Sequence, residues 1–178
     1  MNKLILILGG AVLWFMAGCK AVDKLTQFNM DFNSTVVIPV PEGTNLPSDI
    51  KTPDVVTNSE STFAVKDTRK DMIEEAKLTS LDLTITSPSN GNFNFMKTIN
   101  VYMSAEGLPE IKIAWKENIP NGAGSVLELE TSNDDLQEYI KKDKVVMRLN
   151  TVTDELITTE HHIDIHSVFF VDAKILGQ

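Results

Sequence analysis

The sequence has a single cysteine, few basic residues relative to acidic ones, and no long hydrophobic run. The one cysteine, Cys19, excludes an internal disulfide and a cysteine-rich zinc site. The 16 lysines and arginines are outnumbered by 25 aspartates and glutamates, which gives a formal net charge of -9. An acidic surface repels phosphate groups, so sequence-independent nucleic-acid binding is excluded as a leading function.

Length and composition indicate one folded domain. A chain of 178 residues is enough for one ordinary domain and too short for two of typical size. Hydrophobic residues make up 42% and charged residues 23%, which is typical of globular rather than disordered proteins. The chain has no Gly-x-Ser-x-Gly motif for nucleophilic catalysis. The segment Gly122–Ser125 lacks the lysine of a phosphate-binding loop, so we interpret it as a flexible loop.

The longest apolar segment lies at the start of the chain. Lys3 precedes a run from Leu4 to Met16 in which every residue is apolar or glycine. As a helix this run would span about 20 Å, which is shorter than the ~30 Å hydrocarbon core of a bilayer. A basic start followed by a short apolar run is typical of a secretory signal peptide, which we therefore favour over a transmembrane helix.

The apolar run ends in Met16-Ala17-Gly18-Cys19. These residues resemble the lipobox of bacterial lipoproteins, in which leucine is commonest at the position of Met16. The resemblance implies cleavage between Gly18 and Cys19, a diacylglycerol on the Cys19 thiol, and acylation of the new amino group. The alternative is a plain signal peptide in which Cys19 is incidental.

This resemblance divides the chain into three parts. It implies a cleaved signal peptide at 1–18, a lipidated cysteine with a short tether at 19–25, and a single domain at 26–178. Two or more acyl chains hold a protein firmly on a bilayer. The usual sorting rule marks inner-membrane retention with aspartate after the cysteine, so Lys20 implies the outer membrane. The face of that membrane is left open.

The domain behind the leader has the pattern of β-strands. Apolar and polar residues alternate at 28–32, 81–85, 111–115, 145–149 and 163–165, with further apolar residues to 175, which predicts half-buried strands. Short strands separated by turn signals predict an all-β fold, an antiparallel β-sandwich of seven or eight strands. It is immunoglobulin-like by analogy of strand number only, because the Cys-Trp-Cys signature is absent.

Several local features refine this prediction. Phe63 and Val65 predict a further strand. Pro88–Asn92 contains Asn-Gly, the favoured hairpin turn, and its return strand is expected from Phe93 to Met103 with a bulge near Met96-Lys97.

One short helix is predicted near 133–142. Acidic residues at Asn133-Asp134-Asp135 stand where a helix begins, and Lys141-Lys142 stand where it ends. Between them Leu136, Tyr139 and Ile140 recur at helical spacing.

All three histidines lie in the segment Glu160–His166. On a strand, His162, Asp164 and His166 share one face with Glu160, while His161 points the other way. Neighbours in such a row are roughly 6–7 Å apart, whereas zinc ligands must approach to about 2.0–2.2 Å. We interpret the row as the solvent face of a strand, with a surface divalent metal at His162, Asp164 and His166 as the secondary hypothesis.

The acidic residues give two weaker candidates. Asn133-Asp134-Asp135 offer oxygens to Ca²⁺ but lack the spacing of a dedicated calcium loop, so helix capping is the preferred interpretation. Glu74-Glu75 and Glu128 with Glu130 are carboxylate pairs of the kind that glycosidases use. Nothing in the sequence places them across a cleft, so solvated surface acids are favoured.

Two aromatic residues are candidates for ligand contact. Trp115 alternates with Ile111 and Ile113, which predicts that it points into the core. Tyr102 shares a face with Asn100 and Ser104 and is the better candidate for an exposed aromatic.

These observations predict a membrane-anchored bacterial lipoprotein whose β-sandwich is a non-catalytic binding module for an unidentified protein or glycan. The first alternative is an envelope structural or assembly protein that binds another protein through a sheet edge. The second is a metal-assisted hydrolase that uses the His162–His166 region. We expect no enzyme activity, no nucleic-acid partner, and no cofactor beyond the covalent lipid on Cys19.

Overall fold

The computed structural model describes residues 27–40, 47–66 and 68–174. The predicted signal peptide, the lipidation site Cys19 with its tether, and the end of the last predicted strand at Ile175 lie outside the described residues. The described part is an all-β protein with two short α-helices.

Ten strands form the framework. Their bounds are β1 Gln27–Ile38, β2 Pro47–Lys51, β3 Val55–Val56, β4 Ile73–Ser87, β5 Met96–Ala105, β6 Ile111–Lys116, β7 Val126–Glu128, β8 Glu130–Thr131, β9 Lys144–Thr153 and β10 His161–Ala173. The helices are α1 Ser59–Val65 and α2 Gln137–Ile140, with 3₁₀ turns at Lys70–Met72 and Phe93–Phe95. In this part of the chain, no helix is long and apolar enough to cross a membrane.

The strands form two antiparallel sheets. The smaller sheet has the order β1-β10-β4-β7, and the larger has the order β2-β9-β5-β6-β8 with β3 paired to β9. Buried side chains from both sheets form one hydrophobic cluster. The predicted antiparallel β-sandwich is therefore confirmed. It has more strands than the seven or eight expected, because β2, β3 and β8, of five, two and two residues, were not predicted.

The alternation predicted from the sequence is clearest in β10. His161, Ile163 and Ile165 are buried, and His162 and Asp164 between them are exposed. The strand pairs with β1 on one side and β4 on the other, so its inner residues lie at the centre of the smaller sheet. The sequence pattern is strong here because a strand between two neighbours buries one complete face.

The strand predicted at Phe63 and Val65 is wrong, because both residues belong to α1. Phe63 is fully buried against Phe28, with ring centroids 6.1 Å apart, and Val65 is 81% exposed. Residues two apart point to nearly opposite sides of a helix. Two apolar residues at this spacing are too few to distinguish the period of a strand from that of a helix.

The hairpin predicted at Asn90-Gly91 is also wrong. The turn forms, with the Gly91 amide donating to the Pro88 carbonyl at 2.8 Å, but β4 and β5 belong to different sheets. The buried rings of Phe93 and Phe95 line the crossing between the sheets. The expected bulge is confirmed as a register shift between Met96 and Thr98.

The predicted helix near 133–142 is shorter than expected. Its single turn, α2, begins at Gln137. Asp135 lies before it and accepts hydrogen bonds from the backbone amides of Gln137 at 3.1 Å and of Ala76 on β4 at 3.0 Å. The acidic segment therefore joins the helix to the smaller sheet.

Gly91 gives a test of the sheet crossing. A Cβ at this position would lie 2.6 Å from Cγ2 of Ile85 and 2.9 Å from the Pro88 carbonyl oxygen. We expect Gly91→Ala to lower the free energy of unfolding by about 1–3 kcal/mol, because the contact with the Pro88 carbonyl cannot relax without backbone movement. Urea unfolding measures the change.

The matched control is Gly124→Ala in the loop that faces the same turn. A Cβ there has nothing within 4 Å, and its φ is not in the left-handed region. We expect a change within about 0.5 kcal/mol. Equal effects of the two substitutions would contradict the crowding at Gly91.

Candidate functional site

The histidine row is divided into two separate pairs. Nε2 of His162 lies 3.2 Å from Oε1 of Glu160, and Nε2 of His166 lies 3.2 Å from Oδ1 of Asp31 on β1. Asp164 is exposed between them. Within the described ranges, no group of three or more His, Cys, Asp or Glu side chains is placed to hold a metal ion. The geometry gives each imidazole one carboxylate partner.

His161 is buried on the opposite face, as its position in the alternation predicted. It is 8% exposed, and its ring centroid lies 4.6 Å from that of Phe95. Nδ1 is 3.0 Å from the Thr159 carbonyl, which can only accept, so Nδ1 donates. Burial lowers the pKa of His161 because the charged form loses its hydration.

The paired acids do not share a site. Glu74 forms an ion pair with Lys174 at 2.8 Å, and Glu75 with Lys77 at 2.6 Å. Glu128 ends β7 in the smaller sheet, whereas Glu130 begins β8 in the larger one.

The outer face of the larger sheet holds a more coherent group. Register places Asp49 opposite Asn150, Asn150 opposite Asn100, Asn100 opposite Trp115, and Trp115 opposite Glu130. Residues that are directly opposite share a face, so these five form one line across five strands, here called the polar row. The line spans about 19 Å, which is four strand spacings of ~4.8 Å.

Trp115 corrects the prediction that it points into the core. Ala114 is paired with Val101 but Lys112 with the next residue, Tyr102, so Ile113 is an extra residue in β6. Ile113 and Ala114 are both buried as a result, and Trp115 is half-buried on the outer face. A bulge shifts the alternation by one position, which the apolar pattern alone does not reveal.

A second row lies beside the polar row. Lys51 is opposite Arg148, Arg148 is opposite Tyr102, and Tyr102 is opposite Lys112. The Arg148 guanidinium carbon lies 4.2 Å from the Tyr102 ring centroid. The Lys112 ammonium lies 4.9 Å from the Trp115 ring centroid. Tyr102 is half-buried on the outer face, in agreement with its predicted position.

Arg148 connects three elements of this face. Nε and one terminal nitrogen donate to the two carboxylate oxygens of Glu110 at 2.9 and 2.6 Å, and the other terminal nitrogen donates to Asp49. Hydrogen bonds from Arg148 hold the pKa of Glu110 below its ordinary value. The Asn150 amide, at 3.0 Å, and then Arg148 lower the pKa of Asp49. These contacts fix the side chains at one end of the polar row.

The arrangement favours binding rather than chemistry. Amide groups, an indole and a phenol lie on one outer face, and Arg148 beside them is paired with Asp49 and Glu110. Side chains of Asn offer both donors and acceptors, and an indole offers a flat apolar surface with one donor. The alternation in the sequence placed Tyr102 and Asn100 on this face. Arg148 and Asn150 were not predicted, although they alternate with buried residues of β9. Asp49 gave no such signal, because its two neighbours in β2 are only half-buried.

Arg148 provides a test of the fixed end of this face. We expect Arg148→Ala to lower the free energy of unfolding by about 1–3 kcal/mol, because it removes a charge-assisted fork and exposes one face of Tyr102. Lys144→Ala is the control on the same strand, since Lys144 forms only an exposed pair with Asp54. The control should change by less than about 1 kcal/mol. Equal losses in chemical unfolding would contradict a specific role of Arg148.

His161 predicts a pH dependence of stability. Because its pKa is lower in the folded state, its contribution is complete above the unfolded pKa of about 6.5 and is lost as the pH falls below it. We expect the free energy of unfolding to decrease between pH 6.5 and 5, and His161→Gln to have a smaller slope. His162→Gln retains His161 and should retain its slope. The same slope in wild type and His161→Gln would exclude this cause.

Comparison with known proteins gives no family. No protein-family model matches the chain, and no curated protein matches it.

Solved structures match it weakly. FlhE is 6% identical over 83% of this chain and 98% of its own, with a TM-score of 0.35. The cyanophage Pam1 capsid is 8% identical over 82% of this chain and 86% of its own, with a TM-score of 0.40. A CBM32 module of Clostridium perfringens, in complex with GalNAc-β-1,3-galactose, is 10% identical over 81% of this chain and 97% of its own, with a TM-score of 0.35. Because these TM-scores are below 0.5, the likenesses assign neither a family nor a ligand.

Proposed function

We propose that this chain is a lipid-anchored lipoprotein of the bacterial outer membrane whose β-sandwich is a non-catalytic binding module. The binding surface is the outer face of the larger sheet. The observation that carries this proposal is that Trp115, which the sequence predicted in the core, is half-buried on the outer face in line with Asn100 and Asn150. A solvent-accessible line of amides and indole is suited to ligand recognition.

The leader supports the anchor. Met16-Ala17-Gly18-Cys19 resembles a lipobox, and Lys20 favours the outer membrane over the inner one. Eight residue steps separate Cys19 from Gln27, the first residue of β1, so an extended tether would reach at most about 29 Å. The first strand therefore starts within about 29 Å of the anchor.

Gln27 lies at the end of the smaller sheet to which the tether would attach. Gln27 pairs with Asp172, which pairs with Glu75, so these three residues lie together at that end. At the opposite end of that sheet His162 pairs with both Val37 and Ser87. The turn at Pro88–Asn92 and the segment before β10 continue from this opposite end, away from the tether.

A second candidate is a protein that binds a partner strand through a sheet edge. β1 is a 12-residue edge strand without lysine or proline, the residues that commonly protect such edges. A groove of about 550 Å³ runs beside it, between Asn29–Asn33 and Asp54–Asn58. β2 and β3 of the larger sheet lie close to β1 and leave this edge less open to a partner strand, so the outer face is the better-supported surface.

Metabolic labelling tests the anchor. We expect the wild-type chain to incorporate an alkyne-tagged palmitate and to sediment with outer membranes, because three acyl chains hold it there. Cys19→Ala should lose the label. Lys20→Asp should keep the label and move to the inner membrane, which separates lipidation from sorting. A wild-type chain without label would refute the lipoprotein proposal, whatever its fractionation.

A further inference from the structure

We propose that the polar row binds an extended, uncharged glycan chain that lies across the strands of the larger sheet. This inference rests on the proposed binding function and names its site and ligand class. The row joins Asp49, Asn150, Asn100, Trp115 and Glu130 through direct cross-strand pairs.

The shape of the row indicates a linear ligand. Its five side chains come from five neighbouring strands, so their line runs across the sheet for about 19 Å. The three members between the ends are all half-buried, namely Asn150, Asn100 and Trp115. A line of this length can contact several units of a polymer at once, whereas a single small molecule would touch only one or two of its side chains.

The centre of the row matches the chemistry of hydroxyl groups. Nδ2 of Asn150 donates to Asp49, which leaves its Oδ1 as an acceptor. Among the described residues, the side chain of Asn100 has no hydrogen-bond partner. An amide both donates and accepts, as a sugar hydroxyl does, and the Trp115 indole adds a donor and a flat surface. A ligand rich in hydroxyls would use all three side chains.

Charge makes other ligand classes less suitable. Asp49 and Glu130 at the ends of the row, with a formal net charge of -9 for the chain, would repel a polyanion. Lys51, Arg148 and Lys112 in the adjacent row would repel a polycation. An uncharged glycan is repelled by neither group of charges.

The same face lacks the apolar centre of a protein or membrane interface. Of the described large hydrophobic side chains that are exposed, the one on this sheet is Val56. It pairs with Lys144, six residues along β9 from Asn150. Protein interfaces concentrate binding energy in a buried apolar or aromatic centre surrounded by a polar rim. Here the aromatic rings lie beneath cations instead.

Lys112 is the group that a sugar ring would replace on Trp115. Its ammonium lies 4.9 Å from the ring centroid, and the residue is exposed. Exposed cation–π contacts are weak, and a lysine stem has several rotatable bonds, so this side chain can move aside at little cost. Arg148 cannot do the same for Tyr102, because Glu110 and Asp49 hold it.

Fluorescence titration tests the proposal on the full chain. All variants carry Trp14→Phe, so that Trp115 is the single tryptophan whether or not the leader is cleaved. The protein is purified in a non-glycosidic detergent, because a sugar headgroup would compete. The probes are hexasaccharides of β-linked glucose and of β-linked N-acetylglucosamine. We expect at least one of them to change Trp115 emission saturably.

Substitutions locate the site. We expect Asn100→Ala to raise the dissociation constant about five- to tenfold, the effect of losing one or two hydrogen bonds. Asn33→Ala removes an exposed amide from the outer face of the smaller sheet and should leave the constant within twofold. Trp115→Ala, measured by calorimetry, should weaken binding at least as much as Asn100→Ala. Thermal unfolding of each variant confirms that the fold is retained.

Three results would overturn the proposal. They are no saturable change with either hexasaccharide, equal effects of Asn100→Ala and Asn33→Ala, and tighter binding of a polygalacturonate hexamer than of both uncharged chains. Palmitate labelling of the same preparations separates this inference from the anchor. Label without glycan binding would refute the ligand alone, and glycan binding without label would refute the anchor alone.

Discussion

The alternation of buried and exposed side chains along the long strands is the constraint on which this molecule depends. Each sheet must cover the other, so every strand gives one set of side chains to the interior and leaves the other set at the surface. β10 shows this most fully, with every second residue from His161 to Ala173 buried. The neighbouring strand β4 pairs with β10 in an irregular register. β4 has register shifts beside Ser87, Leu78 and Glu75. The shift between Ser80 and Leu78 keeps both Leu78 and Leu81 inside although they lie at odd spacing.

The sequence therefore predicted well the features that depend on alternation alone. The inward residues of β1 and β10 and the outward position of Tyr102 follow from a period of two. Features decided by distant contacts were not predicted. Phe63 lies in a helix and packs on Phe28, 35 positions away in the chain, and the Asn-Gly turn does not specify which sheet receives the next strand. The polar row belongs to this second class, because cross-strand register brings Asp49 and Asn150 together across a separation of 101 residues.

Three basic side chains of the described residues lie over aromatic rings. Arg148 lies over Tyr102, Lys112 over Trp115, and Lys66 over Phe28 at 5.7 Å. The stems of long basic side chains shield apolar surface while their charged ends stay in water. The outer face of the larger sheet can thus present two aromatic rings without a large apolar patch. Arg148 is the most tightly held of these cations, with 21% of its side chain exposed and carboxylates on two sides.

One extra residue in β6 decides what the larger sheet presents to its surroundings. If β6 paired without the bulge, Trp115 would share a face with Ile113 and lie in the core, as the alternation predicted. The bulge instead buries the small Ala114 beside Ile113 and turns the indole outward, into line with Asn100. If only the filling of the core mattered, Trp115 rather than the smaller Ala114 would be buried. The bulge in β6 thus reduces the buried aromatic area and places an aromatic ring on the surface. This exchange supports a binding role for the outer face of the larger sheet.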